Sequence, residues 1–139
     1  MAVIRELFSH GGPRNREPAL QELAVALGAQ RLGSRIRDAL DNDLRMAVRR
    51  GILENSAGQL TLLCRSISEY TVNHLVATLM AAIGNNWSTR SEAVVVAARS
   101  LGFRRTGQSI QAAFKSVFNA TIRRGLIERD GPDRIRKAR

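Results

Sequence analysis

Apolar residues in the second half of the chain recur every three or four positions in three separate stretches, which predicts three amphipathic helices. A Gly-Asn-Asn sequence follows the first stretch, a Leu-Gly pair follows the second and a single glycine follows the third, and such residues commonly end helices. The predicted helices cover residues 69–83, residues from a cap at Ser88 or Thr89 to Ser100, and residues from Thr106 or Gly107 to Gly125.

After the third helix the chain changes to short apolar and polar runs around a turn sequence, which predicts strands. LIERDGPDRIR predicts a β-hairpin that turns at Asp130 and Gly131. The first half of the chain follows the same plan. Its predicted elements are a shortened helix over residues 3–8, helices over 18–27 and 34–50, and a hairpin that turns near Ala57 and Gly58.

Three helices and a terminal hairpin, with a tight turn between helices two and three, have the order of a winged helix. The predicted fold is therefore mainly α with short β-hairpins, arranged as two tandem winged-helix-like modules. The first module covers residues 1–66 and has the shortened first helix, and the second covers residues 67–139 and ends in a basic tail.

The two halves also match residue by residue. AVRRGILE begins at Ala47 and TIRRGLIE begins at Thr121, and a shift of 74 positions keeps glycines, arginines and apolar residues in register over residues 16–54 without a gap. A match of this length indicates a duplication. We therefore expect Ile36 and Ile110 to occupy equivalent buried places. Four further side chains are expected to face inward, namely Leu40, Leu44, Phe114 and Phe118.

Four glycines at matching positions have predicted structural roles. Gly51 and Gly125 follow the third helices and are expected to be C-caps with left-handed backbone. Gly33 and Gly107 precede the third helices and are expected to permit the close approach of helices two and three. The arginine pairs before Gly51 and Gly125 lie in a last helical turn, where the helix dipole favours cations, so they have a structural interpretation beside a binding one.

LGFRRTGQSIQAAF followed by RRGLIERDG resembles the uncharacterised winged-helix-like domain near the C-terminus of superfamily-1 helicase-related proteins, and LGAQRLGSRIRDAL followed by RRGILE resembles it less closely. In the first module Leu32 replaces a threonine of the family pattern, and neither hairpin ends in the family's aromatic residues. The resemblance implies the fold and no particular activity, and the chain has no helicase motor motif. The residues that match the pattern are Gly102, Arg105, Thr106, Gly107, Ile110, Arg124 and Gly125.

The charge balance narrows the class of partner. The chain has 22 Lys and Arg against 12 Asp and Glu, a formal net charge of +10, which attracts polyanions, nucleic acid first and an anionic membrane surface next. Only Lys115 and Lys137 are lysines, and the planar guanidinium of arginine suits bidentate contact with phosphate or guanine. With 44% hydrophobic but only 4% aromatic residues, the core is expected to consist of Leu, Ile, Val and Ala.

Candidate catalytic and metal-binding groups are sparse. Cys64, His10 and His74 have no partners at a metal-binding or catalytic spacing, so we expect no cofactor, no metal and no enzymatic activity. Cys64 is expected at a hairpin end and His74 on a helix. The single cysteine, the absence of a secretory pattern in MAVIRELFSH and the short apolar stretch over residues 72–83 predict a soluble, cytoplasmic protein outside the membrane.

Acidic residues are divided unevenly between the two third helices. The first contains Asp38, Asp41 and Asp43, whereas residues 93–127 of the second module contain no acid. Because acids repel phosphate, the second module is the expected binding module, with an ordinary solvated face as the alternative. The expected nucleic-acid contacts are Arg104, Arg105, Thr106, Gln108, Ser109, Gln111, Lys115, Asn119, Arg123, Arg134 and Arg136.

These patterns predict a non-catalytic protein that binds nucleic acid, in the first place double-stranded DNA, through helix three and the hairpin of the second module. The alternative is a protein-docking or oligomerisation module of a larger DNA-processing assembly. The acids of the first module make that module the candidate for docking. An enzyme whose groups are assembled only by folding is a third interpretation.

Two further features have predictions of their own. Trp87 is expected to pack under the turn between helices one and two, with stacking on a base as the alternative. The tail RIRKAR, which begins at Arg134, is expected to be a mobile arm that adds phosphate contacts.

Overall fold

The structure, a computed structural model, describes residues 1–138. The chain folds into two compact units. The first unit consists of Met1–Arg65 with Leu101–Phe103, and the second consists of Ser66–Ser100 with the residues from Arg104 on. The last residue of the predicted tail, Arg139, lies outside the described residues.

The first unit has three helices and a three-stranded antiparallel sheet with the strand order β1-β3-β2. The chain turns between β2 and β3 at two residues with positive φ, Ala57 at 52° and Gly58 at 84°, as the hairpin prediction requires. Its elements are α1 (Ala2–Ser9), β1 (Arg14–Asn15), α2 (Arg16–Ala26), α3 (Ser34–Arg49), β2 (Leu53–Ser56) and β3 (Gln59–Leu62).

The second unit has the same order of elements after a short 3-10 turn at Ile67–Glu69, and its sheet has the order β4-β6-β5. The fold prediction is confirmed: the chain is mainly α with short β-hairpins, in two successive winged-helix-like arrangements. The elements of the second unit are α4 (Val72–Ala82), β4 (Ser88–Thr89), α5 (Arg90–Ser100), α6 (Gln108–Arg123), β5 (Ile127–Asp130) and β6 (Arg134–Lys137).

Local hydrogen bonds explain where the helices of the second unit begin. The Thr89 hydroxyl accepts a hydrogen bond from the Glu92 backbone N–H at 3.1 Å, and the Glu92 carboxylate accepts one from the Thr89 N–H at 3.4 Å, so the two residues cap α5 reciprocally. Thr71 caps α4 through a 3.1 Å hydrogen bond from the His74 N–H. This cap, and the 3-10 turn before it, make α4 begin at Val72 and not at residue 69 as predicted.

Each unit has its own apolar core beneath its third helix. In the first unit Leu44 is fully buried and Leu40 is 5% exposed, and in the second Phe114 is fully buried and Phe118 is 2% exposed, so the inward prediction for these four is confirmed. The strands close each core from the other side, chiefly through Leu53, Leu60, Ile127 and Ile135.

The expected equivalence of Ile36 and Ile110 is wrong. Ile36 is 40% exposed, whereas Ile110 is 9% exposed and belongs to the core. The first helices of the two units explain the difference. α4 packs against both α5 and α6, whereas the shorter α1 packs against α2 and β3. α3 therefore has less of the first helix packed against it than α6 has, in line with the greater exposure of Ile36.

The glycine predictions divide into two outcomes. Gly51 and Gly125 have φ of 78° and 69°, which confirms the predicted left-handed backbone at the ends of the third helices, although the C-caps are the preceding residues Arg50 and Arg124. Gly33 and Gly107 do not permit a close approach of helices, because a Cβ built on either residue meets no atom of residues 1–138 within 4 Å. Both are instead N-caps in extended conformation, with φ of −74° and −71°.

Two short strands, β1 and β4, were not predicted. Each has two residues and adds a third strand to a hairpin, with Arg14 opposite Leu60 and Ser88 opposite Ile135. Two residues are too few to show an alternating pattern, so nothing in the local sequence distinguishes these strands from loop. They join the start of helix two in each unit to the hairpin.

Candidate nucleic-acid interface

The outer face of α6 has the polar character that its sequence predicts. The helix buries Phe114, Val117 and Phe118 on one side, and its period of 3.6 residues turns the intervening positions to solvent. The exposed positions of α6 are Gln108, Ser109, Gln111, Ala112, Lys115, Ser116, Asn119 and Arg123. All are small, polar or basic, so this face presents hydrogen-bonding groups and the two cations Lys115 and Arg123 without an apolar obstruction.

The turn before α6 is fixed by the helix itself. The Gln111 side-chain amide donates a hydrogen bond of 3.0 Å to the Thr106 carbonyl, and Thr106 is half-buried, whereas Arg104 and Arg105 beside it are exposed. Within residues 1–138 neither Arg105, Lys115 nor Arg123 makes an ion pair. No carboxylate in this part of the chain therefore pairs with the charges of Arg105, Lys115 and Arg123.

The hairpin places Arg134 and Arg136 on a strand, so the prediction of a mobile arm is wrong for the residues that form β6. The buried Ile135 lies between the more exposed Arg134 and Arg136 on this strand. The strand's hydrogen-bonded pairing with both β4 and β5 holds it in the sheet. Arg134 lies 3.4 Å from the Asp130 carboxylate, and Arg136 donates a 2.7 Å hydrogen bond to Glu128. These acids of β5 offset part of the positive charge of the hairpin.

Trp87 lies beneath the same two arginines. The guanidinium carbons of Arg134 and Arg136 are 5.6 and 4.4 Å from the centroid of its ring, within cation-π range. Trp87 therefore packs against β6 and supports the hairpin from one side. Trp87 packs within its unit, as predicted. Its contacts are with the hairpin, whereas the prediction placed it under the turn between helices one and two.

A cavity of about 250 Å³ lies between α5 and α6, and its principal polar residue was not singled out from the sequence. Arg90, the first residue of α5, has its guanidinium carbon 5.3 Å from the centroid of the Phe118 ring. Its Nε is buried and makes no hydrogen bond within residues 1–138. The residues around the cavity include Arg90, Ser91, Thr106, Gln111, Lys115 and Phe118.

The equivalent positions in the first unit hold ion pairs. Arg16 donates a hydrogen bond to Asp41, which also lies 3.2 Å from Arg45, and Arg37 donates two hydrogen bonds to Glu17. The hydrogen bond from Arg16 holds the pKa of Asp41 below its ordinary value, although burial opposes this effect. Asp41 and Glu17 are thus paired with arginines of the same unit.

A shift of 74 positions pairs Arg16 with Arg90 and Asp41 with Lys115. The sequence therefore contained a signal for the cavity. An arginine is kept while the carboxylate that pairs with it becomes a lysine. The sequence alone does not show that Arg16 and Asp41 are in contact. The replacement of a negative charge at position 41 by a positive one at position 115 therefore could not be linked to Arg90.

Other candidate groups have structural surroundings. Cys64 is buried just after β3, and the His74 ring on α4 stacks on Tyr70 with centroids 5.1 Å apart, as their predicted places suggested. Residues 1–138 contain no group of three or more His, Cys, Asp or Glu that could hold a metal ion. No helix in this part of the chain has the length and apolar character needed to cross a membrane.

Comparison of the chain with protein-family models, curated proteins and solved structures found no match.

Proposed function

We propose that the protein binds double-stranded DNA without catalysing a reaction, and that the second unit makes the main contacts. The exposed, acid-free face of α6 is the observation that carries this proposal. In helix-turn-helix proteins the recognition helix lies in the major groove, and we place the hairpin of the second unit against the adjoining sugar-phosphate backbone. The groove is about 12 Å wide and admits one helix, so a face of small polar side chains meets its requirement.

The side chains of this surface divide into two groups by their chemistry. Gln108 and Asn119 carry amides, which pair with the adenine edge, and Ser109 carries a hydroxyl that accepts and donates. Lys115 has a compact ammonium group and Arg123 a planar guanidinium with several donors, and both suit phosphate. The basic groups expected to contact the backbone from either side of α6 are Arg104, Arg105, Arg134 and Arg136.

The proposal extends to the origin of the chain. The second helices of the two units, α2 and α5, both have 11 residues, and the third helices, α3 and α6, both have 16. These equal lengths support a duplication of one winged-helix ancestor. The motif with Arg105, Thr106 and Gly107 before α6 supports a relationship to the helicase-related family named above. A backbone superposition of residues 16–54 on residues 90–128 tests the duplication.

Fluorescence anisotropy with labelled duplex DNA, single-stranded DNA and RNA, each at two salt concentrations, tests the binding function. We expect the tightest binding to the duplex and a steep fall in affinity with salt, because phosphate neutralisation releases counterions. Tighter binding to RNA or to a single strand would overturn the choice of duplex. No binding to any of the three would overturn the proposal.

An exposed apolar surface on α2 favours a second candidate function, protein docking by the first unit. Val25 is 74% exposed, with Leu7 and Ala26 beside it around a shallow concavity, and Leu27 is 57% exposed. Large exposed apolar side chains that lie together commonly mark an interaction surface. Light scattering of the intact chain and of Val25→Asp tests this function: self-association that Val25→Asp abolishes would support it.

A further inference from the structure

The cavity between α5 and α6 has the composition of an anion site. Arg90 and Lys115 supply two positive charges, Ser91 supplies a hydroxyl, and no carboxylate is among the residues around it. We propose that this cavity binds one phosphate group. This inference rests on the proposed function in that the phosphate belongs to the DNA backbone, while a small phosphorylated molecule has the same chemistry and is distinguished by experiment.

Arg90 is held in place by interactions that leave its side-chain donor unused. Its backbone N–H donates a 2.9 Å hydrogen bond to the Asp133 carbonyl, and its guanidinium rests on the Phe118 ring. Its buried Nε–H makes no hydrogen bond within residues 1–138. A buried donor without an acceptor is unfavourable, and an ionic group more so. Because this atom is shielded from solvent, a small rotation of the Arg90 side chain is needed to bring its Nε–H to an oxygen acceptor in the cavity, and the hydrogen bond formed there would remove the penalty.

The volume and the other polar groups fit a phosphate. A water molecule occupies about 30 Å³ of liquid, so a cavity of about 250 Å³ accommodates a tetrahedral anion together with some of its hydration. Gln111 is held by its bond to the Thr106 carbonyl, which leaves Arg90, Lys115 and Ser91 as the groups that meet the anion. Two cations and a hydroxyl around one space suit the several acceptor oxygens of a phosphate.

The first unit shows what the same place looks like when the anion is part of the protein. Arg16 occupies the position of Arg90, and the carboxylate of Asp41 occupies the position of Lys115 and accepts the hydrogen bond. A second carboxylate, Glu17, stands at the position of Ser91. The second unit keeps the arginine and lacks both carboxylates, so the anion for Arg90 must come from outside these positions.

The side-chain Nε–H signal of Arg90 in a nitrogen-15 NMR spectrum of the full chain reports directly on the proposed interaction. It is recorded during titrations with a short DNA duplex and, separately, with inorganic phosphate, and duplex affinity is measured in parallel by anisotropy. We expect the duplex to move this signal.

Lys115→Asp, which restores the pairing of the first unit, is expected to abolish the shift and to weaken duplex binding at least about tenfold, as the loss of a charged hydrogen bond implies. It should also reduce the slope of log K against log salt by about 0.9. The matched control is Arg99→Asp, which makes the same change of charge on the exposed surface of α5 outside the cavity. Lys115→Gln provides a second variant without an added acid.

The outcomes separate the cavity from the function. If the duplex binds but leaves the Arg90 signal unmoved, and Lys115→Asp weakens binding no more than Arg99→Asp, the phosphate site is wrong while DNA binding stands. If inorganic phosphate moves the signal and the duplex does not, the site is supported with a small phosphorylated molecule as its ligand. If neither probe binds or moves the signal, the phosphate site and the DNA-binding function both fail.

Discussion

Four matched positions in the two units carry opposite electrostatic arrangements on the same framework of helices. In the first unit they are Arg16, Glu17, Arg37 and Asp41, which form two ion pairs with each other. In the second unit they are Arg90, Ser91, Gln111 and Lys115, which include two cations and no acid. The first arrangement is neutral and self-contained, and the second leaves a net positive charge beside an open cavity.

This difference shows that the charged positions are not what determines the fold. Both units form the same succession of helices and strands although one has the ion pairs and the other does not. Exposed ion pairs add little stability, because water screens them and the long side chains lose freedom. The burial of Leu44 in one unit and Phe118 in the other specifies the packing, and the polar positions are free to serve binding.

Truncation of the third-helix core tests whether both units depend on the same packing. Phe118→Ala should destabilise the second unit by about 3 to 5 kcal/mol, and Leu44→Ala should destabilise the first by about 2 to 5 kcal/mol, because each removes a buried side chain and leaves a cavity. Denaturant unfolding followed by circular dichroism measures both. An unchanged midpoint for Phe118→Ala would mean that the face assigned to the core of α6 is wrong.

The next prediction concerns binding, and it uses the first unit as the control. Replacing Arg104, Arg105 and Lys115 together by Ala should weaken duplex binding and lower the slope of log K against log salt by about 0.9 for each phosphate that the protein no longer neutralises. The matched control replaces Gln30, Arg31 and Asp41 by Ala, which removes one cation and one acid and leaves the net charge unchanged.

Both triple variants are first shown to be folded by thermal unfolding, since Asp41 has two arginine partners whose loss affects the control. Anisotropy titrations at several salt concentrations then give affinity and slope. Equal losses of duplex affinity from the two triple variants would show that the two units contribute alike to binding. The difference in charge between the units would then have no effect on DNA binding.

The helices and hairpins were predictable because their signals are local. The apolar period of residues 110–122, the capping residue Thr89 and the glycine at position 125 each act within a few residues of chain, so the sequence alone indicates where α5 and α6 begin and end. The exposed polar face of α6 follows from the same period. The order of helices and hairpins predicted from these local signals therefore sufficed to predict the fold of each unit.

The features that escaped prediction depend on distant parts of the chain. The exposure of Ile36 is set by how far α1 extends over its unit, and β1 exists only because β3, which comes much later in the sequence, provides a partner. Arg90 gains its significance from the residues that surround it on α6 and from Asp41, which accepts the equivalent hydrogen bond in the other unit. Such dependence on tertiary packing leaves no local pattern.

The unequal burial of Ile36 and Ile110 leads to a smaller prediction. Ile110→Ala should cost about 2 kcal/mol or more, since it removes a buried side chain, whereas Ile36→Ala should change stability by about 0.5 kcal/mol or less. Denaturant midpoints of the two variants give the comparison directly. Equal costs would mean that the first helices cover both positions alike, in conflict with the packing described above.

The smallest expected effect is a pH dependence confined to the first unit. The pKa of Asp41 is lowered from its ordinary value of 3.8, chiefly by the hydrogen bond from Arg16. Because the folded-state pKa lies below the unfolded one, this acid contributes its full stabilisation above about pH 3.8 and loses it as the pH falls through the folded value. For a partly exposed pair the contribution is about 1 kcal/mol or less.

Asp41→Asn removes the titrating group and tests this contribution. Its stability should fall below that of the unaltered chain near pH 7, and the two proteins should converge in acid as Asp41 becomes protonated. Lys115→Gln is the matched variant in the second unit and should show no such convergence, because no carboxylate occupies that position. Unfolding free energies from denaturant titrations at several pH values measure both differences. An Asp41→Asn variant as stable as the unaltered chain at neutral pH would show that the ion pair of the first unit contributes nothing, and that the two units differ in charge alone.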